Sequence, residues 1–147
     1  MAIAERTAET TWEGALASGN GTIRGASGAL DGLPVTWASR TEHPDGKTSP
    51  EELAAAAHSA CFAMALALRL GEHNTVPQRL SIAATVTLDN VDGVPTIVSS
   101  VLQVRGRVPG LDGASFHSVV DEAAKLCPVS RLFAGAEITV NAELESA

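Results

Sequence analysis

Cys61 and Cys127 are the two thiols of this 147-residue chain, and no other residue type in it offers comparable redox or nucleophilic chemistry. A buried free cysteine ordinarily behaves as a small hydrophobe, so reactivity needs a cause. Cys61 sits in an apolar stretch where desolvation would raise its pKa and make it inert, unless a cation or hydrogen-bond donor stands nearby. Arg40 is the candidate. A guanidinium stays charged at any relevant pH, lowers a neighbouring thiol's pKa and can orient a peroxide oxygen by donating to it. A carboxylate can hold that arginine in place, and Glu51 is the obvious one. Glu51 precedes Cys61 by ten residues, about 15 Å along a straight helix, which excludes direct contact within one regular helix. Either the first turn leaves the axis, or Glu51 meets the Arg/Cys pair of a second subunit. His58, three residues before Cys61, shares part of its face. A Cys–His acyl-transfer pair is conceivable, but no orienting third residue or oxyanion motif accompanies it, and a satisfied core or interface histidine is the simpler reading. Cys61, Cys127, His58 and His117 also lack the short paired spacings of structural zinc sites.

The element that must position Cys61 is the stretch Thr48 to Leu70, which reads as one long helix. Ser49 suits the N-cap, Pro50 the first helical position, and Glu52 completes a Ser-x-x-Glu capping box. From Leu53 onward almost every residue is Ala, Leu, Met, Phe or Cys, so the helix offers water no wide charged face and must be buried nearly all round, in the fold or between subunits. Its alanine content, His58 and the two opening carboxylates count against a membrane span. Cys127 precedes Pro128, which places it at the junction of two helical pieces: Ser115 to Leu126 has Phe116, Val119, Val120 and Ala123 at helical spacing, and proline suits the first turn of a new helix. A thiolate at a helix N-terminus is favoured by the exposed N–H groups.

The remaining segments read as strands. Thr7–Trp12, Thr22–Arg24 and Leu33–Trp37 form an N-terminal antiparallel meander, with Asp31-Gly32 as a turn signal and Arg40 at the end of the last strand. Ser81 to Leu88 alternates, Asp89 to Gly93 turns the chain, and Thr96 to Val108 should return antiparallel to it. Ala136 to Leu144 closes the chain as an alternating strand. The expected fold class is therefore α+β, in a single domain over residues 1–147. A formal net charge of -7 without a Lys/Arg cluster argues against nucleic acid or an anionic membrane as partner. The first residues carry no apolar h-region, so a cytoplasmic, reducing location is expected, where two thiols are more often catalytic or redox-sensing than a structural staple.

The segments Thr48-Ser49-Pro50-Glu51-Glu52-Leu53 and Cys61-Phe62-Ala63-Met64-Ala65-Leu66, followed far downstream by Cys127-Pro128-Val129-Ser130, closely resemble the OsmC/Ohr family of organic hydroperoxide reductases. Trp12-Glu13-Gly14, Leu88-Asp89-Asn90-Val91-Asp92 and Val108-Pro109-Gly110-Leu111-Asp112 favour the OsmC branch. The resemblance implies an intertwined homodimer with antiparallel sheets wrapped around central helices. It also implies that Cys61 is the peroxidatic cysteine, Cys127 the resolving one, Arg40 the activating arginine, preferred over Arg24, and Glu51 the carboxylate bonded to it. Arg131 departs from the family pattern, where a small or amide residue is expected. Under this reading Cys61 is oxidised by the peroxide to a sulfenic acid, Cys127 closes a disulfide on it, and a dithiol, lipoyl-type by resemblance, restores both thiols. No metal, flavin or haem cofactor is required. A peroxide sensor or binding protein on the same fold, and a Cys-dependent hydrolase using His58, remain the competing readings.

Overall fold

The stretch after Thr48 forms one uninterrupted helix in the computed structural model, which describes residues 1–146 and divides into two compact units, Met1–Leu53 and Ala54 onward. In the first unit, β1 (Ala8–Glu13), β2 (Asn20–Gly25) and β3 (Leu33–Val35) form the antiparallel meander in the order β1-β2-β3. The expected third strand stops short, however, and Trp37–Thr41 is a short helix, α1. Thr36 and Ser39 form a capping box: each side-chain oxygen accepts from the other's backbone N–H at 2.9 Å. Satisfying two otherwise orphaned donors at once favours the helical turn over a longer strand, so Arg40 lies on α1 rather than at a strand end. Thr48 N–H donates to the Pro34 carbonyl at 2.9 Å, which brings the start of the long helix, α2 (Pro50–Glu72), beside β3. Ser49 caps that start by accepting from Glu52 N–H at 3.1 Å, but the return half of the expected box is absent: the Glu52 carboxylate accepts from the Thr48 hydroxyl at 2.7 Å instead.

In the second unit, α2 lays His58, Phe62, Leu66 and Leu70 into the core at four-residue intervals, all four at 0 % exposure. The core is completed by Leu102, Val104, Phe116, Val120 and Ala123. The opposite face of α2 is open, with Met64 at 73 % and Leu68 at 60 % exposure, so the chain itself does not bury this helix all round. By length and composition α2 also qualifies as a membrane-crossing helix. β4 (Arg79–Val91) and β5 (Val94–Arg107) pair antiparallel around the two-residue turn Asp92-Gly93. Both residues have positive φ, 52° and 84°, the I′ geometry that matches strand twist, and the turn is therefore tighter than the sequence suggests. After α3 (Gly113–Leu126) and α4 (Pro128–Leu132), β6 (Glu137–Leu144) joins β5 in parallel. The expectation of antiparallel pairing thus fails at this one seam, because the two helices form the crossover that parallel neighbours require. Gly106 is needed for close approach here: a Cβ on it would meet the Phe116 ring at 2.7 Å. The α+β class stands, with two three-stranded sheets and four helices among the described residues.

Candidate active site

The four expected site residues fall into two pairs, one in each unit. In the first, α1 presents Arg40 to the opening turn of α2. Arg40 Nε donates to the two Glu51 carboxylate oxygens at 3.0 and 3.1 Å, and Nη2 donates to Oε1 at 2.7 Å. The Glu51 side chain is 11 % exposed and Arg40 29 %, so the fork is largely shielded from water. The guanidinium carbon also stands 5.9 Å from the centroid of the Trp37 ring, one turn back on the same short helix. The Ser39 hydroxyl, which can donate to the Thr48 carbonyl at 2.9 Å, ties α1 to the segment leading into α2 and so fixes the distance the fork must span. Beside this pair is a cavity of about 210 Å³ walled by Trp12, Leu16, Ile23, Val35 and Trp37, with Arg40 as its charged member. Arg24 has a different setting: it pairs with Asp31 at 2.6 Å with both side chains more than half exposed.

In the second unit, α2 carries Cys61 and the α3–α4 junction carries Cys127. Cys127 has φ −58° and ψ 116°, the extended conformation imposed by the following proline, and is both the last cap of α3 and the first of α4. Its side chain is fully buried, whereas Cys61 is partly exposed, and both thiols are free. Burial pushes the Cys61 thiol up; a hydrogen bond from the Val129 backbone N–H opposes this, and the neighbouring Cys127 thiol raises it further. Cys61 is thus packed against the core cluster that contains Cys127, with Val129 of α4 packed against the same cluster.

His58 is likewise engaged. Its Nδ1 lies 2.7 Å from the Ser100 hydroxyl on β5 and its Nε2 lies 2.7 Å from the Ser130 hydroxyl on α4. The Phe133 ring meets the imidazole edge-on, 5.2 Å between centroids. Burial lowers the histidine's pKa, and with each ring nitrogen facing a hydroxyl the imidazole is a satisfied core group. Val129 N–H, Ser100, Ser130 and Phe133 are the site residues that sequence reasoning did not single out. Ser130 lay within the Cys127-Pro128-Val129-Ser130 motif, but nothing in the sequence connects it to His58. Arg131, the departure from the family pattern, is exposed at the end of α4. Among the described residues, no group of three or more His, Cys, Asp or Glu side chains is placed to hold a metal ion.

Residues 43–143 match the family model described as OsmC-like protein. The chain is 42% identical over 135 residues to a protein of Escherichia coli (strain K12) named Peroxiredoxin OsmC, covering 92% of this chain and 93% of that one. It is 35% identical over 89 residues to the Organic hydroperoxide resistance protein of Xanthomonas axonopodis pv. citri, covering 60% of this chain and 61% of the other. Among solved structures, the organic hydroperoxide resistance protein OhrB of Bacillus subtilis superposes with a TM-score of 0.72 at 30% identity, over 95% of this chain and 98% of that chain. The OsmC-like protein from Mycoplasma pneumoniae reaches a TM-score of 0.76 at 14% identity, over 99% of this chain and all of that chain, and speaks for the fold alone. The chain belongs to the OsmC-like protein family.

Proposed function

We propose that the chain is a cysteine-based thiol peroxidase that reduces organic hydroperoxides to alcohols. The observation that carries this reading is the packing of Cys61 against the core cluster that contains Cys127, both as free thiols, in a chain whose relatives are named peroxiredoxin and hydroperoxide resistance protein. The Cys61 thiolate attacks the distal peroxide oxygen; the S–O bond forms, the O–O bond breaks, and the alkoxide leaves and takes a proton to become the alcohol. Arg40, held by Glu51, stabilises the thiolate and the departing oxygen through the N–H groups that Glu51 does not use. The Cys127 thiolate then attacks the Cys61 sulfenic sulfur, expelling hydroxide, which is protonated to water. A dithiol, of lipoyl type, reduces the resulting disulfide by exchange. The apolar cavity beside Arg40 supports organic over hydrogen peroxide as substrate, since its walls reward apolar substituents.

In this reading both units work as one domain, and the active form is a cytoplasmic homodimer. One observation supports the dimer. The face of α2 carrying Met64 and Leu68 is apolar and open, as a helix that packs against its own copy requires. The test is steady-state turnover of cumene hydroperoxide with a dihydrolipoyl donor. Sustained turnover that is lost in Cys61→Ser establishes a peroxidase; stoichiometric oxidation without turnover by any dithiol identifies a sensor instead.

A further inference from the structure

The two thiol-bearing segments are tied together by a buried hydrogen bond that stands three residues from each thiol. His58 lies one turn before Cys61 on α2, and Ser130 lies three residues after Cys127 on α4; Nε2 and the Ser130 hydroxyl oxygen are 2.7 Å apart. His58 is completely buried and Ser130 is 8 % exposed, so water does not compete for either group. α4 has five residues, too short to hold its conformation by its own hydrogen bonds. Of these residues, Arg131 and Leu132 face solvent, Leu132 at 76 % exposure. Its anchors are therefore Val129, which is packed against the core, and the imidazole of His58, which takes Ser130 on one nitrogen and meets the Phe133 ring at its edge. The Ser100 hydroxyl on β5 meets the other nitrogen, which satisfies the imidazole but makes no contact with α4. A neutral imidazole has one donor and one acceptor, which two hydroxyls satisfy completely.

We infer that His58 and Ser130 form a clamp that holds Cys127 in attacking position on oxidised Cys61, making both of them positioning residues for the disulfide-forming step. The inference rests on the peroxidase reading above and assigns a role within it to a histidine that the chemistry does not otherwise use. Two reactions compete for the Cys61 sulfenic acid. In one, the Cys127 thiolate attacks the Cys61 sulfur; an S–S bond forms, the S–O bond breaks, and hydroxide leaves as water. In the other, the sulfenate attacks a second hydroperoxide; an S–O bond forms, the O–O bond breaks, and sulfinate and alcohol result. A clamp accelerates the first and leaves the second untouched, so its loss appears as over-oxidation.

The test exposes reduced full-length protein to increasing cumene hydroperoxide and measures the ratio of Cys61 sulfinic acid to Cys61–Cys127 disulfide by peptide mass spectrometry. Ser130→Ala is expected to raise that ratio about fivefold at each peroxide concentration, the equivalent of about 1 kcal/mol for one lost hydrogen bond. Ser130→Thr, which keeps the hydroxyl, is expected to restore it. Ser100→Ala removes a hydroxyl from the same imidazole but not from α4, and is expected to stay within about twofold of wild type while its unfolding midpoint falls as that of Ser130→Ala does. Should Ser130→Ala not fold, His58→Phe fills the ring's volume without its nitrogens and is expected to give the same increase. A wild-type disulfide with an unchanged ratio in these variants, or an equal rise in Ser100→Ala, overturns the clamp alone. A wild-type protein that forms no Cys61–Cys127 disulfide overturns the peroxidase reading and the clamp with it.

Discussion

Replacing Arg40 by methionine removes the one cation that the proposed chemistry needs, and the structure sets how large the effect should be. Arg40 commits its Nε–H and one Nη2–H to Glu51; of the five N–H donors of a guanidinium this leaves three for a thiolate or peroxide oxygen. Losing a preorganised donor to a developing oxyanion costs about 10²- to 10³-fold in rate, or about 2.7–4 kcal/mol. Lysine keeps the charge but not the planar fork, so Arg40→Lys is expected to lose about tenfold to a hundredfold. Burial holds the Cys61 thiol above the ordinary range; in the proposed site the Arg40 charge offsets this, so that without it the thiolate forms only at higher pH. The rate of Arg40→Met should therefore rise with pH across the alkaline range and lie to the alkaline side of the wild-type profile. Folding will also suffer, because Glu51, 11 % exposed, is left unpaired. A fully buried pair broken this way costs about 3–5 kcal/mol, and the partial exposure of Arg40 discounts this to about 1–3 kcal/mol. The assay is stopped-flow reduction of cumene hydroperoxide from pH 5 to about 10, run below the urea midpoint of each variant. A folded Arg40→Met protein within about threefold of wild type, with an unshifted profile, refutes the assignment of Arg40.

Two further predictions rest on single features. His58 is buried with its pKa lowered from 6.5, so on acidification the unfolded chain takes up a proton that the native one refuses. With more protons bound in the unfolded state, stability rises with pH in this window, and urea midpoints are expected to fall as pH drops below 6.5. In His58→Gln that component of the slope should vanish. Leu68→Glu places a charge on the open apolar face of α2, where Leu68 is 60 % exposed in the single chain. If this face is the subunit interface, sedimentation equilibrium will show a monomer and peroxide turnover will be lost, while the far-ultraviolet spectrum of the chain stays helical.

Much of the fold was legible because periodicity and punctuation agree with each other. The Ser49-Pro50 start and unbroken apolar run of α2, the spacing of Phe116, Val119, Val120 and Ala123, and the alternation along β4 and β5 each state their element. The Cys127-Pro128 junction was legible for the same reason, since proline constrains the residue before it. What escaped was tertiary. Thr36 and Ser39 turn a strand end into the α1 helix by capping each other, an arrangement that five residues of sequence leave indistinguishable from strand. The parallel seam of β6 depends on where α3 and α4 carry the chain, and no local pattern in Glu137–Leu144 encodes that. Arg40, Glu51 and the two thiols could be singled out as candidates by residue type and motif, but the Thr36–Ser39 capping that places Arg40 on a helix could not. His58 could be read as a satisfied core histidine; that its partners would be Ser100 and Ser130, 42 and 72 residues away, could not.

Which sulfur reacts first, and with what, decides between a peroxidase and an inert buried cysteine. Reduced protein given a slight excess of cumene hydroperoxide, then quenched and mapped by non-reducing peptide mass spectrometry, should contain a Cys61–Cys127 disulfide. Cys127→Ser should instead stop at a sulfenic acid on Cys61, and Cys61→Ser should leave Cys127 reduced and the peroxide unconsumed. Wild-type protein whose two thiols both remain reduced while the peroxide persists would contradict the account and return Cys61 to the status of a buried hydrophobe.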